Sequence, residues 1–76
     1  MERIPELLEN RQKMLDKALN SLKNDEWERS AHAFSKSSDL SKELSDSLAA
    51  EEYNLKAKTL FEYAKIDKRF RSLRGK

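Results

Sequence analysis

Apolar residues recur every three or four positions in the first third of the chain, which is the spacing of an amphipathic helix. Pro5 opens this pattern, and proline suits the first turn of a helix because its missing N–H would have no partner there. The pattern therefore predicts a helix over residues 4–23 with one apolar face. The face comprises Leu7, Leu8, Met14, Leu15, Ala18, Leu19 and Leu22.

A second helix is predicted over residues 25–45. Asn24 suits its N-cap, because an asparagine side chain can accept a free backbone N–H of the first turn. Acidic residues follow where the positive end of the helix dipole favours negative charge. They are Asp25, Glu26 and Glu28.

The apolar pattern of the second helix changes phase in its middle. Trp27, Ala31 and Phe34 form one stripe, but the leucines from Leu40 onward do not continue it. The helix therefore either breaks at Ser37–Asp39 or continues and buries two faces. We favour a continuous helix because this segment contains neither glycine nor proline.

Serine is frequent in and after the second helix, with seven serines between Ser30 and Ser47. Small side chains let two helices approach closely, so we interpret these serines as packing residues rather than as a phosphorylation cluster.

A third helix is predicted over residues 47–72, with Ser45 or Ser47 as its N-cap. Gly75 lies where the end of a helix favours glycine. The core-facing stripe of this helix comprises Tyr53, Ala57, Leu60, Phe61 and Ala64.

Composition supports an all-α fold. The chain has eleven leucines and seven alanines but no valine, and strands favour the β-branched residues that are scarce here. Its 76 residues allow one domain, 1–76, with a basic C-terminal end at 65–76. We expect a small antiparallel three-helix bundle; the alternative is a helical hairpin that dimerises into a four-helix bundle.

Several classes of protein are disfavoured by the residue inventory. The chain contains no cysteine, no apolar run of the ~20 residues that span a bilayer, and no N-terminal signal pattern, so we expect a cytoplasmic protein. His32 is the single histidine, and its Glu28 neighbour does not match the Glu-x-x-His spacing of helical di-iron sites. We therefore expect no enzyme activity, cofactor or metal.

Two segments resemble known helical interaction modules. The second predicted helix alternates aromatic and small residues at Trp27, Ser30, Phe34 and Ser37. This alternation is similar to that in the second helix of tetratricopeptide units. Residues 53–60 resemble the third helix of microtubule-interacting and transport (MIT) domains, although Lys56 replaces the arginine that those domains carry. MIT domains are three-helix bundles, and the resemblance implies peptide binding in a groove between helices.

Charge is distributed unevenly although the net charge is only +2. Residues 25–51 carry three basic and seven acidic residues, whereas residues 52–76 carry eight basic and three acidic residues. The cations of the C-terminal end can complement the helix dipole or bind phosphates. The candidate nucleic-acid or anion-binding residues are Lys65, Lys68, Arg69, Arg71, Arg74 and Lys76.

The third helix has more apolar surface than one neighbouring helix can cover. Its candidate partner-binding residues are Tyr63, Ile66, Phe70 and Leu73. This surplus favours a protein-interaction or adaptor module that binds a helix, a short peptide or a second copy. A small nucleic-acid-binding accessory protein that uses the basic C-terminal helix is the alternative.

Overall fold

The computed structural model describes residues 3–74, which form three helices: α1 (Arg3–Lys23), α2 (Trp27–Glu43) and α3 (Ser47–Arg74). α2 packs against both other helices, and the order of the contacting residues makes each neighbouring pair antiparallel. The predicted all-α three-helix bundle is therefore confirmed.

α2 is a continuous helix, as the sequence favoured. It passes through Ser37–Asp39 without a break because α1 covers one of its sides and α3 covers another. The apolar pattern changes phase for the same reason: residues of two different faces are buried, including Ala31, Ala33 and Phe34.

Serine hydroxyls join α2 to both neighbours. Ser30 donates a hydrogen bond of 2.7 Å to the carbonyl oxygen of Ala18 in α1, and Ser38 donates one of 2.7 Å to that of Ala50 in α3. A side chain this short reaches a neighbouring backbone only where the helices lie close together. The packing role predicted for these serines is confirmed.

The two turns between helices have the same geometry. Asp25 and Ser45 both have positive φ, at 58° and 59°. In each turn the next residue, Glu26 or Asp46, donates its N–H to the carbonyl five positions earlier. These are Schellman motifs, in which a left-handed residue satisfies the last carbonyls of a helix.

This turn geometry corrects the predicted N-caps. Asn24 belongs to the turn that ends α1, and Glu26 precedes α2 without a side-chain capping bond. α3 is capped by Asp46 rather than by Ser45 or Ser47, since its Oδ1 accepts the N–H of Ala49 at 3.3 Å. Ser45 cannot serve because the Schellman motif holds it in the left-handed region. Gly75 lies outside the described residues.

The bundle is open. Among residues 3–74, no Cα atom of α1 lies within 8 Å of one in α3, so both outer helices pack on α2 rather than on each other. The radius of gyration is 14.4 Å, against about 11 Å for a compact chain of this length. The accessible surface is 6047 Å², about 1,200 Å² above the value expected from the mass.

The core is correspondingly small. Its buried members are mostly alanine, with Phe34 and Leu60 as the large side chains. α1 packs on α2 and not on α3, so Ala18 is buried while Leu8 and Leu19 of the predicted apolar face remain exposed. Much apolar surface is thus left for other contacts.

Candidate functional site

An open groove lies between α1 and α3, with α2 beneath it. Leu19 and Leu22 form its α1 side, and Phe34 of α2 lies between the two outer helices. The groove has a volume of about 420 Å³. Its α3 side comprises Glu52, Leu55, Lys56, Thr59 and Leu60.

The open bundle explains why this groove is apolar. In a closed three-helix bundle α1 and α3 would meet over Phe34 and bury Leu19. Here they are held apart, and the Phe34 ring stacks on Tyr53 of α3 with 6.3 Å between ring centroids. The ring therefore belongs both to the core and to the groove.

The predicted partner-binding residues continue the groove along α3. From Thr59, they follow at alternating steps of four and three residues, which keeps them on one side of the helix. They are Tyr63, Ile66, Phe70 and Leu73, and all four are exposed.

The C-terminal part of α3 lies beside the start of α2. Tyr63 lies beside Trp27, the first residue of α2, with 5.7 Å between ring centroids. Phe70 and Leu73 follow near the end of α3 and are 61 % and 73 % exposed. This part of the apolar stripe is open to a partner from several directions.

Three of the predicted anion-binding residues on α3 face carboxylates of the same chain. Arg71 Nε lies 3.0 Å from Asp67, and the Nζ of Lys65 lies 3.9 Å from Glu62. Lys68 reaches α2, where its Nζ is 4.0 Å from Glu28.

The other three predicted anion-binding residues differ in position. Arg69 makes no ion pair within 4 Å in the part of the chain that is described, and it is exposed. Arg74 is the last residue of α3, and Lys76 lies outside the described residues. Of Lys65, Lys68, Arg69 and Arg71, three thus already pair with carboxylates within the described chain.

One partly buried polar cluster was not predicted. Arg11 of α1 donates from Nη1 to Ser41 Oγ and to Asp46 Oδ2, both at 3.1 Å. The hydrogen bond from Arg11 to Asp46, followed by that from the N–H of Ala49, holds the pKa of Asp46 below its ordinary value of 3.8. The cluster joins α1 to the turn before α3. No local sequence pattern signals it, because the partners of Arg11 are 30 and 35 residues away.

His32 is exposed on α2 and meets the ring of Phe61 edge-on, with 5.1 Å between centroids. Within residues 3–74 there is no group of three or more histidine, cysteine or acidic side chains placed to hold a metal ion. None of the described helices has an apolar stretch that could cross a membrane. The expected lack of enzyme activity stays a prediction.

Comparison of the chain with protein-family models, with curated proteins and with solved structures finds no match.

Proposed function

We propose that this chain is a non-enzymatic interaction module that binds an amphipathic helix or short peptide of another protein in the groove between α1 and α3. The observation that carries the proposal is the open apolar groove, in which Leu19 is exposed and Leu22 is half-buried where a closed bundle would bury both. A helix laid into such a groove supplies the apolar contacts that the missing α1–α3 interface leaves unmade.

The groove favours a particular kind of ligand. Its interior is apolar, while Glu52 and Lys56 lie at its α3 side and pair with each other at 3.6 Å. A ligand with apolar residues at three- and four-residue spacing would fill the interior, and its flanking charges would select the orientation against this pair. The resemblance to MIT domains, which implies a peptide between helices, supports the same proposal.

Selection of helical peptides from a displayed library tests the groove directly. We expect enrichment of amphipathic sequences that bind the wild-type chain, and Leu19→Glu should weaken their binding at least about tenfold because it places a charge in the apolar interior. Leu19 is 54 % exposed, so the substitution should leave the thermal midpoint nearly unchanged.

Asn20→Glu is the matched control. Asn20 is exposed in the same turn of α1 but does not line the groove, so the added charge should change peptide affinity by less than about twofold. Equal loss of peptide binding in both variants would contradict groove binding. So would a selection in which the wild-type chain enriches no more peptides than the Leu19→Glu variant does.

Nucleic-acid binding through the basic end is the second candidate function. Arg69 supports it as an exposed cation without a carboxylate partner among residues 3–74. It ranks below peptide binding because Lys65, Lys68 and Arg71 each face a carboxylate of the same chain, which offsets their attraction for phosphate. Either function is consistent with a cytoplasmic protein, and a chain without cysteine suits that compartment.

A further inference from the structure

The side of α3 that faces away from α2 carries large apolar residues that residues 3–74 leave uncovered. Leu48 and Leu55 are 81 % and 68 % exposed, and Ile66 is 47 % exposed. Ala57, which is buried, lies nine residues from both Leu48 and Ile66. Nine residues are about two and a half turns, so these apolar side chains lie opposite the buried side of α3.

The exposed residues belong to a continuous heptad pattern, here named the α3 seam. Its positions alternate in steps of four and three residues from one end of α3 to the other. This is the a/d spacing with which one helix packs along another over several turns. The α3 seam consists of Leu48, Glu52, Leu55, Thr59, Glu62, Ile66, Arg69 and Leu73.

The α3 seam is complementary to itself when it is reversed. Its eight positions are symmetric about a point between Leu60 and Phe61. A second α3, antiparallel across a two-fold axis at that point, would bring Leu48 opposite Leu73 of the second copy and Leu55 opposite its Ile66. Apolar residues thus meet apolar residues, as an isologous interface requires.

The charged positions of the α3 seam select the antiparallel direction. In the antiparallel pair Glu52 lies opposite Arg69 of the second copy, and the two-fold axis makes this pair occur twice. In a parallel pair each Glu52 would oppose Glu52 and each Arg69 would oppose Arg69, which is repulsive. Glu52 pairs only with Lys56 of its own helix in the described chain, and Arg69 has no ion pair there, so both are free to bridge copies.

We propose that two copies of this chain associate through the α3 seam as an antiparallel helix pair. This association goes beyond the proposed peptide binding, although the two surfaces adjoin on α3. Glu52, Leu55 and Thr59 belong to both the groove and the α3 seam, and Ile66 and Leu73 belong to both the α3 seam and the stripe that continues the groove.

The mass in solution, measured by light scattering over a range of concentrations, tests the association. We expect twice the chain mass of 8.9 kDa for the wild type. Arg69→Glu should raise the dimer dissociation constant at least about tenfold, because Glu52 of each copy then lies opposite a carboxylate of the other copy instead of a guanidinium group. Glu52→Arg should have the same effect, and the double variant Glu52→Arg with Arg69→Glu should restore the wild-type dimer.

Arg71→Glu is the matched control for charge reversal. It makes the same change in net charge in the same region of α3, but Arg71 is not a seam position and pairs with Asp67. We expect it to leave the dimer intact.

The orientation is tested with introduced cysteines, since the chain has none of its own. Leu48→Cys chains mixed with Leu73→Cys chains should form the mixed disulfide faster than either variant links to itself. Preferential self-linking would overturn the antiparallel arrangement.

Three results of the mass measurement would overturn the proposal: a monomer at every concentration, a dimer indifferent to both charge reversals, or no rescue in the double variant. A dimer that Leu19→Glu dissolves but Arg69→Glu does not would assign self-association to the groove instead. Loss of peptide binding in Leu19→Glu with the dimer retained supports both proposals separately.

Discussion

Buried serine side chains occupy the centre of this molecule, at positions where a protein with a larger core would have large apolar residues. Ser30, Ser37 and Ser41 are fully buried in α2, and each hydroxyl has a hydrogen-bond partner. A buried hydroxyl that is paired avoids the desolvation penalty of an unpaired one. The short side chains also leave no room for a larger residue, so the spacing of all three helices depends on them.

The bonds of Arg11 extend this polar stabilisation to the ends of the helices. Arg11 is long enough to reach both Ser41 of α2 and Asp46, which caps α3, and only 18 % of its side chain is exposed. Asp46 in turn accepts the N–H of Ala49. One guanidinium group therefore couples α1 to the start of α3, although the two helices do not pack against each other.

Asp46 gives the stability of the fold a defined pH dependence. Its pKa is lowered in the folded protein, chiefly by the hydrogen bond from Arg11 and next by that from Ala49. The carboxylate therefore stabilises the fold above its ordinary pKa of 3.8, and this contribution is lost as the pH falls through the lower, folded-state pKa.

Asp46→Asn isolates the charge, because asparagine caps a helix about as well as aspartate. We expect a lower thermal midpoint than that of the wild type at neutral pH, and a difference that shrinks toward zero in strong acid. Circular dichroism melts at both pH values measure this. Asp39→Asn, at an exposed aspartate of α2 without an ion pair in the described chain, is the control; a pH-independent deficit in Asp46→Asn would contradict the charge mechanism.

At the scale of secondary-structure elements, the two turns share one solution to the problem of ending a helix without glycine. Asp25 and Ser45 take the left-handed conformation, which costs a residue with a Cβ atom about 1–2 kcal/mol. The turns persist because the Schellman bonds satisfy the carbonyls at the ends of α1 and α2. The fold therefore retains strain at two turn positions.

Asp25→Gly should relieve this strain. Glycine adopts positive φ freely, so even after its extra entropy in the unfolded chain we expect a gain of about 0.5–1 kcal/mol in the free energy of unfolding. Urea denaturation measures it.

Lys17→Gly, at an exposed position inside α1, serves as the opposite case and should lose about 0.7–1 kcal/mol. Destabilisation by Asp25→Gly would mean that its side chain, rather than its backbone, maintains the turn.

At the scale of the whole molecule, a single central helix contacts both others, and the outer two leave a groove. The open arrangement exposes apolar residues on α1 and along α3, including Leu8, Leu19 and Leu55. Large exposed apolar surfaces commonly mark interaction sites, and the two proposed associations use the groove and the α3 seam. The charged side chains bear on the second candidate function, nucleic-acid binding.

Binding of duplex nucleic acid is expected to be weak at physiological salt. Lys65, Lys68 and Arg71 already face carboxylates, so few phosphates should be contacted, and each contact adds only ~0.9 to the slope of log affinity against log salt. Fluorescence anisotropy across a salt series measures this slope. Tight binding at physiological salt that Arg69→Glu abolishes would promote nucleic-acid binding over peptide binding.

Much of the fold was accessible from the sequence because helix formation is a local property. The spacing of leucine and alanine, together with the scarcity of β-branched residues, predicted three helices whose bounds lie within two residues of those observed. The continuity of α2 through Ser37–Asp39 also followed, since no residue there opposes a helix. The exposed stripe from Tyr63 to Leu73 could also be predicted from the sequence, because the third helix has more apolar residues than one neighbouring helix can cover.

The N-caps were predicted less well because a turn depends on several residues at once. Asn24 and Ser45 are good caps by residue type, but the Schellman motifs place them at the ends of α1 and α2 instead. Asp46 becomes the cap only because the turn and Arg11 together orient its carboxylate.

The sequence by itself determined which segments are helical and which residues of each helix are apolar, because both depend on residues a few positions apart. Only the tertiary structure decided which apolar residues are covered. Ala18 and Leu19 belong to the same predicted stripe, yet Ala18 is buried against α2 and Leu19 lines an open groove. That difference arises because α1 and α3 do not meet, and the contacts that hold them apart join residues distant in the chain.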